Sequence, residues 1–179
     1  MWLLLDVWAN IRDFLEAGGY VLWAILLLST LLWTLIFERY LFLRWVYPPY
    51  LAEKLRYWQQ RPDRTSWYAR KIREALLSEI SLRLNRSLGF IGTLIAICPL
   101  MGLLGTVIGM VHVFDVMAHL GSGNARAMAT GISLATIPTM AGMVVALSGL
   151  FFSAHLQQRV EHEDRKAAAL FFAHPNDCP

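Results

Sequence analysis

Hydrophobic positions in this chain gather into three long runs, separated by stretches in which charge and polarity return. Tyr20–Phe37 carries no charged residue, Leu88–Phe114 is longer and holds no Asp, Glu, Lys or Arg, and Ala127–Ala154 has none either. Crossing the hydrocarbon core of a bilayer takes roughly 20 helical residues at about 1.5 Å each. Each run therefore predicts one transmembrane helix, at 18–41, 88–117 and 127–154. A helix bonds its own backbone internally, as lipid demands, so the expectation is an all-α, polytopic membrane protein.

The polar stretches predict further helices. In Trp2–Phe14, Asp6, Asn10 and Asp13 share one helical face while Leu4, Trp8, Ile11 and Leu15 share another, an amphipathic pattern expected to form a surface helix over 1–17. Gly18-Gly19 would break it into the first span. Pro48-Pro49 is expected to stop the helix leaving that span, and Arg61-Pro62-Asp63 to form a second turn. From Trp67 to Ser87, Ile72, Leu76, Ile80 and Leu84 make an apolar stripe that should lead without interruption into the second span. The segment after Ser153 also reads as helical, unravelling near His174-Pro175. These extensions at 42–87 and 155–179 would form a helical collar outside the membrane.

Composition agrees: 56% of residues are hydrophobic and the mean hydropathy is +0.45, too high for a soluble domain of this size. The net charge is only +3, but its placement is uneven. Eleven basic residues from Arg39 to Arg86 and three in the tail (Arg159, Arg165 and Lys166) lie on one side, whereas only Arg12 and Arg126 fall on the other. Basic loops stay in the cytoplasm, which puts the N-terminus and the 118–126 loop outside and 42–87 and the tail inside. Glu53, Asp63, Glu74 and Glu79 interrupt the basic loop, which fits anionic lipid nearby better than nucleic acid. Cys98 and Cys178 form no metal or disulfide pattern, and the N-terminus lacks the basic region of a signal peptide. No phosphate loop, nucleophile–base pair or core carboxylate pair is present; neither an enzyme nor a cofactor is expected.

Within the spans, small and hydroxylated residues carry the information. Gly131, Ala135, Gly142, Ala146, Gly149 and Ser153 fall within roughly 60° on a helical wheel, and Gly102, Gly105 and Gly109 mark the second span. Small residues let membrane helices approach closely, so spans two and three should form a tight hairpin, with Trp23, Leu27 and Ile36 of the first span facing mainly lipid. Pro99 and Pro138 free the carbonyls one turn back and are expected to kink their helices. Thr130, Ser133, Thr136 and Thr139 lie along one arc near Pro138, with Thr106 at similar depth on the second span. In an oligomer that arc would line a pore; alternatively each hydroxyl bonds its own backbone. Asp115, with His112 and His119 on its face, is the ionisable group nearest the membrane; a metal site there would lack a fourth ligand, and none is expected.

The run Cys98-Pro-Leu-Met-Gly-Leu-Leu-Gly-Thr-Val-Ile-Gly-Met, with Gly131-Ile-Ser-Leu-Ala-Thr-Ile-Pro-Thr-Met-Ala-Gly-Met-Val-Val-Ala, resembles the MotA/TolQ/ExbB proton channel family, most closely its short ExbB-type subunits. The resemblance implies a channel domain over 88–170 and a homo-pentamer in the bacterial inner membrane, with the N-terminus periplasmic and the C-terminus cytoplasmic. It implies that spans two and three enclose the single helix of an ExbD-like partner, whose intramembrane aspartate carries the proton past Thr106 and Thr139. The complex would drive a TonB-like protein for outer-membrane uptake of siderophore, haem or cobalamin. Many such proteins carry a glutamate where this chain has Leu134, so the charge is expected from the partner. A TolQ-like stator for envelope integrity and a non-conducting scaffold remain alternatives; the small cytoplasmic loop disfavours a MotA-like role.

Overall fold

The computed structural model describes Phe14 and residues 18–63, 66–120 and 125–172. The expected helix over 1–17 apart from Phe14, residues 121–124 of the 118–126 loop and the tail after Phe172 lie outside the described residues. Those that are described form five α-helices and one π-helical segment: α1 (Gly19–Leu41), the π segment (Phe42–Val46), α2 (Tyr47–Gln59), α3 (Trp67–Asn85), α4 (Leu88–Leu120) and α5 (Ala125–Phe172). Three helical stretches are long and apolar enough to cross a membrane: Gly19–Gln59, Trp67–His119 and Met128–Phe172. The chain is an all-α membrane protein.

Gly19 opens α1 with φ +61°, a conformation that glycine adopts without a side-chain clash. The buried face of α1 runs through Leu22, Ile25, Leu32, Ile36 and Arg39. Trp23 and Leu27 are exposed, as expected, but Ile36 is not: only 6% of it is accessible. Its position one turn before Arg39 and one turn after Leu32 puts it on the inward stripe.

Pro48-Pro49 does not stop the first helix. The prolines occupy the first turn of α2, where a missing N–H has no partner to lose. The π segment immediately before them hands the chain over from α1. A turn does follow at residues 60–63, after which Ser66 caps α3 by accepting a bond from the Tyr68 N–H at 3.2 Å. Between α3 and α4 the helical hydrogen bonding is interrupted only at Arg86-Ser87, where Arg86 keeps αR dihedrals, and Trp67–His119 runs as one helical stretch, as expected. The third span and its extension form one helix of 48 residues.

The described residues divide into two compact units. One comprises α1 up to Trp33 together with Gly92–Leu150; the other comprises Thr34–Ile91 and α5 from Phe151. The second unit has its own core of Tyr47, Trp58, Ala69, Leu76, Ile80, Leu84, Val160, Ala167 and Phe171. Three residues of the expected α3 stripe are therefore buried, and Ile72 packs against them. Trp58 and Phe171 stack obliquely with ring centres 6.2 Å apart. Around this core, Glu79 accepts from Tyr50 Oη at 2.8 Å and from Lys54 Nζ at 2.7 Å, and these donors hold its carboxyl below the usual range. Arg39 is almost fully buried, and its guanidinium donates to the carbonyl oxygens of Arg83 and Leu84.

Candidate functional site

Helices α4 and α5 pair antiparallel along a seam of glycines in the first unit. A Cβ built on Gly109 would stand 2.6 Å from Ala135 Cα, and one on Gly105 2.6 Å from Pro138 Cβ. On Gly102 it would meet Thr139 Cα at 3.0 Å, on Gly142 the carbonyl of Cys98 at 2.6 Å, and on Gly149 Leu32 Cδ2 at 2.8 Å. Gly131 fits against Val113 in the same way. The contacts climb one helix as they descend the other. At Gly109 and Gly142 the obstacle is the facing backbone, so a larger residue would push α4 and α5 apart, whereas Gly149 meets side-chain ends of Leu32 on α1 and Ile95 on α4.

The prolines sit inside continuous helices. Pro138 is fully buried, and its ring fills the notch that Gly105 leaves. Pro99 is half-buried on α4. For Pro138, shape at the seam is thus as evident as the carbonyl it frees.

The hydroxyls divide into two groups. Thr139 lies at the border of the seam, where its Oγ1 donates to the Gly102 carbonyl across the hairpin at 3.0 Å and also approaches Ala135 O at 3.4 Å. It joins the helices as well as flanking the polar arc. Ser133 and Thr136 stand exposed on the outer face of α5, with Thr136 donating to its own helix at Ile132 O, 2.9 Å away. Thr106 likewise donates to Leu103 O at 2.6 Å. Around them Met140, Met143, Val144 and Leu147 are open, giving α5 a wide apolar face with hydroxyls at one end.

Asp115 and His119 approach at 3.6 Å, both well exposed, and His112 does not join them. Among the described residues no three His, Cys, Asp or Glu side chains gather as a metal-binding group. Cys98 is a buried free thiol; the importance of its carbonyl opposite Gly142 has no signature in the sequence, because it depends on register between two helices. Arg39 was also hidden: a charge at the end of a span reads as an interfacial anchor, and only the packing of α3 shows its guanidinium to be enclosed.

The family model of the MotA/TolQ/ExbB proton channels matches residues 47–168, from α2 nearly to the end of α5. The chain belongs to this family. It is similar to an ExbB-like biopolymer transport protein of Synechocystis, with 41% identity over 43% of this chain and 32% of that protein. An ExbB homologue of Methanothermobacter thermautotrophicus is 34% identical over 45% of the chain and 28% of its own length. The biopolymer transport protein ExbB of Aquifex aeolicus is 28% identical over 48% of the chain and 58% of its own. The matched stretch thus spans about a third of the first two relatives and just over half of the third. No solved structure matches the chain significantly.

Proposed function

We infer that this chain is the ExbB-like channel subunit of a proton-driven motor in the bacterial inner membrane. Its N-terminus lies in the periplasm and its C-terminus in the cytoplasm, following the basic residues. Copies assemble as a pentamer around the single span of an ExbD-like partner, and the assembly works on a TonB-like protein to power outer-membrane uptake of siderophore, haem or cobalamin.

One observation carries this reading. Residues 88–111 and 127–154 contain no charged side chain, yet α5 presents Ser133 and Thr136 on a face that its own chain leaves uncovered. Hydroxyls can pass a hydrogen bond to a protonated or ionised carboxyl without the cost of a buried charge. A carboxylate moving past them must come from another polypeptide, and an aspartate on a partner span supplies it. Thr106 and Thr139 flank the same path, Thr139 serving the hairpin at the same time. The driving force is the membrane potential, about 2.3 kcal/mol per charge per 100 mV.

The self-bonded hydroxyls of Thr106 and Thr136 favour one competing reading, a scaffold that packs helices and conducts nothing. The experiment that separates them is co-expression with an ExbD-like single-span protein carrying an intramembrane aspartate, followed by native mass measurement and a proton-flux assay in vesicles. A pentamer containing the partner, with flux abolished by Ser133→Ala/Thr136→Val, supports the motor. An assembled complex whose flux is unchanged in that variant rules it out.

A further inference from the structure

In the second unit, outside the hairpin, lies a groove of about 520 Å³ between the end of the first span and α5, open to solvent and lined mostly by exposed side chains. That volume is in the range of small-ligand sites. Tyr40, Leu43 and Arg44 form one wall; His155, Gln158, Arg159, His162 and Glu163 form the other. The α5 residues recur at intervals of three and four, so they share one helical face.

The lining is rich in donors. Two guanidinium groups, two imidazoles and an amide face a single carboxylate, and that carboxylate is already taken: Lys166 Nζ lies 2.8 Å from Glu163 Oε1. Neither Arg44 nor Arg159 has a carboxylate within ion-pair distance among the described residues. The Arg159 guanidinium instead rests over the Tyr40 ring, 5.6 Å from its centre, a contact that orients it without neutralising it. Leu43 and Arg44 belong to the π segment, a local helix widening that recurs at functional sites. The groove begins where the first apolar run ends, and the neighbouring Trp45 is exposed, as an aromatic at a membrane–water boundary is.

Paired arginines match the geometry and charge of phosphate oxygens. We propose that this groove is a phosphate-recognising site and that the phosphate it takes is the headgroup of an anionic phospholipid at the membrane surface. Arg44 and Arg159 hold the phosphate oxygens, His155 and His162 donate to the phosphate or glycerol oxygens, and Leu43 meets the start of the acyl chains. The site rests on the membrane placement of the first span and not on proton conduction.

The test uses the full chain in an uncharged detergent, titrated with phosphatidylglycerol, phosphatidylcholine or inorganic phosphate and followed by native mass spectrometry. The expected result is one phosphatidylglycerol retained per chain in preference to phosphatidylcholine, with Arg44→Gln/Arg159→Gln weakening it about thirtyfold. Should the double variant melt out, each single variant is expected to weaken binding about fivefold. Displacement of the lipid by millimolar phosphate would keep the anion site and assign it a soluble occupant. Equal retention of phosphatidylglycerol by the wild type and the glutamine variants, or equal retention of both lipids by the wild type, overturns the proposal. A chain that binds the lipid while its assembled complex with an ExbD-like partner conducts nothing would overturn the channel reading and leave this one standing.

Discussion

The guanidinium of Arg39 donates to the carbonyl oxygen of Leu84, at the C-terminal end of α3. It donates to Arg83 O as well, at 2.6 Å, and lies over the Phe42 ring with its carbon 4.7 Å from the centre. The last carbonyls of a helix have no partner within it, and a cation there also meets the negative end of the helix dipole. Only 5% of Arg39 is accessible, so the charge is enclosed together with the acceptors it satisfies. Arg39→Leu should cost about 3 kcal/mol, the weight of charge-assisted bonds to buried acceptors, read as a lower melting temperature in detergent. Arg39→Lys keeps the charge but loses the fork and should fall between.

Glycine substitutions should separate by position. Gly109→Ala places a methyl against the Ala135 backbone at 2.6 Å and should destabilise the chain by roughly 1–3 kcal/mol, because the helices must part. Gly92→Ala meets nothing within 4 Å and should be neutral or gain up to about 1 kcal/mol from helix propensity. Thermal melts of the two variants side by side check this, and equal losses would deny the seam its role.

Thr139 and Thr136 should respond differently to removal of their hydroxyls. Thr139→Val breaks the bond to Gly102 and should lower stability by roughly 0.6–1.7 kcal/mol, the range for interhelical bonds in membranes. The complex should still assemble, but uptake should cease. Thr136→Val breaks only a bond within its own helix, so the melt should hardly move while proton flux falls. Native mass spectrometry and a flux assay on the same samples supply both measurements.

Asp115 is exposed at its end of α4, with His119 nearby. Asp115→Asn should leave partner-dependent proton flux unchanged. Loss of flux in an assembled complex would assign Asp115 a place in the proton path.

Alkaline pH should act through Tyr47. Burial, with Glu163 and Asp164 close by, pushes its phenol up to about 12 from the ordinary 10. The folded state therefore favours the neutral ring; its contribution is complete below pH 10 and is lost as pH rises from 10 to 12, by about 2–3 kcal/mol. Tyr47→Phe removes the titrating group, so its stability should fall less steeply than the wild type's across that window in pH-dependent melts.

The spans were legible because apolar length alone specifies them, and the small-residue stripe because helical period places Gly131, Ala135, Gly142, Ala146 and Gly149 on one face whatever they touch. The stripe on α3 was readable for the same reason. What packs against a face is a matter of register between distant segments. Neither the notch of Gly105 under Pro138 nor the bond from Thr139 to Gly102 could therefore be read from spacing. Pro48-Pro49 misled because proline stops a helix from within but can begin one, and the difference lies in the π segment ahead of it. That widening depends on local backbone geometry, which period does not encode.

The π segment also acts as a phase shifter between α1 and α2. One residue of surplus turns everything after it by about 100°, and it is in that rotated frame that Tyr47 and Trp58 point into the core. Removing one residue from Phe42–Val46 would therefore alter no core side chain by name, yet would swing the whole inward row of α2 toward water. What this short stretch supplies to α2 is a count, on top of the packing of Phe42 and Leu43 against the core and of Phe42 under Arg39.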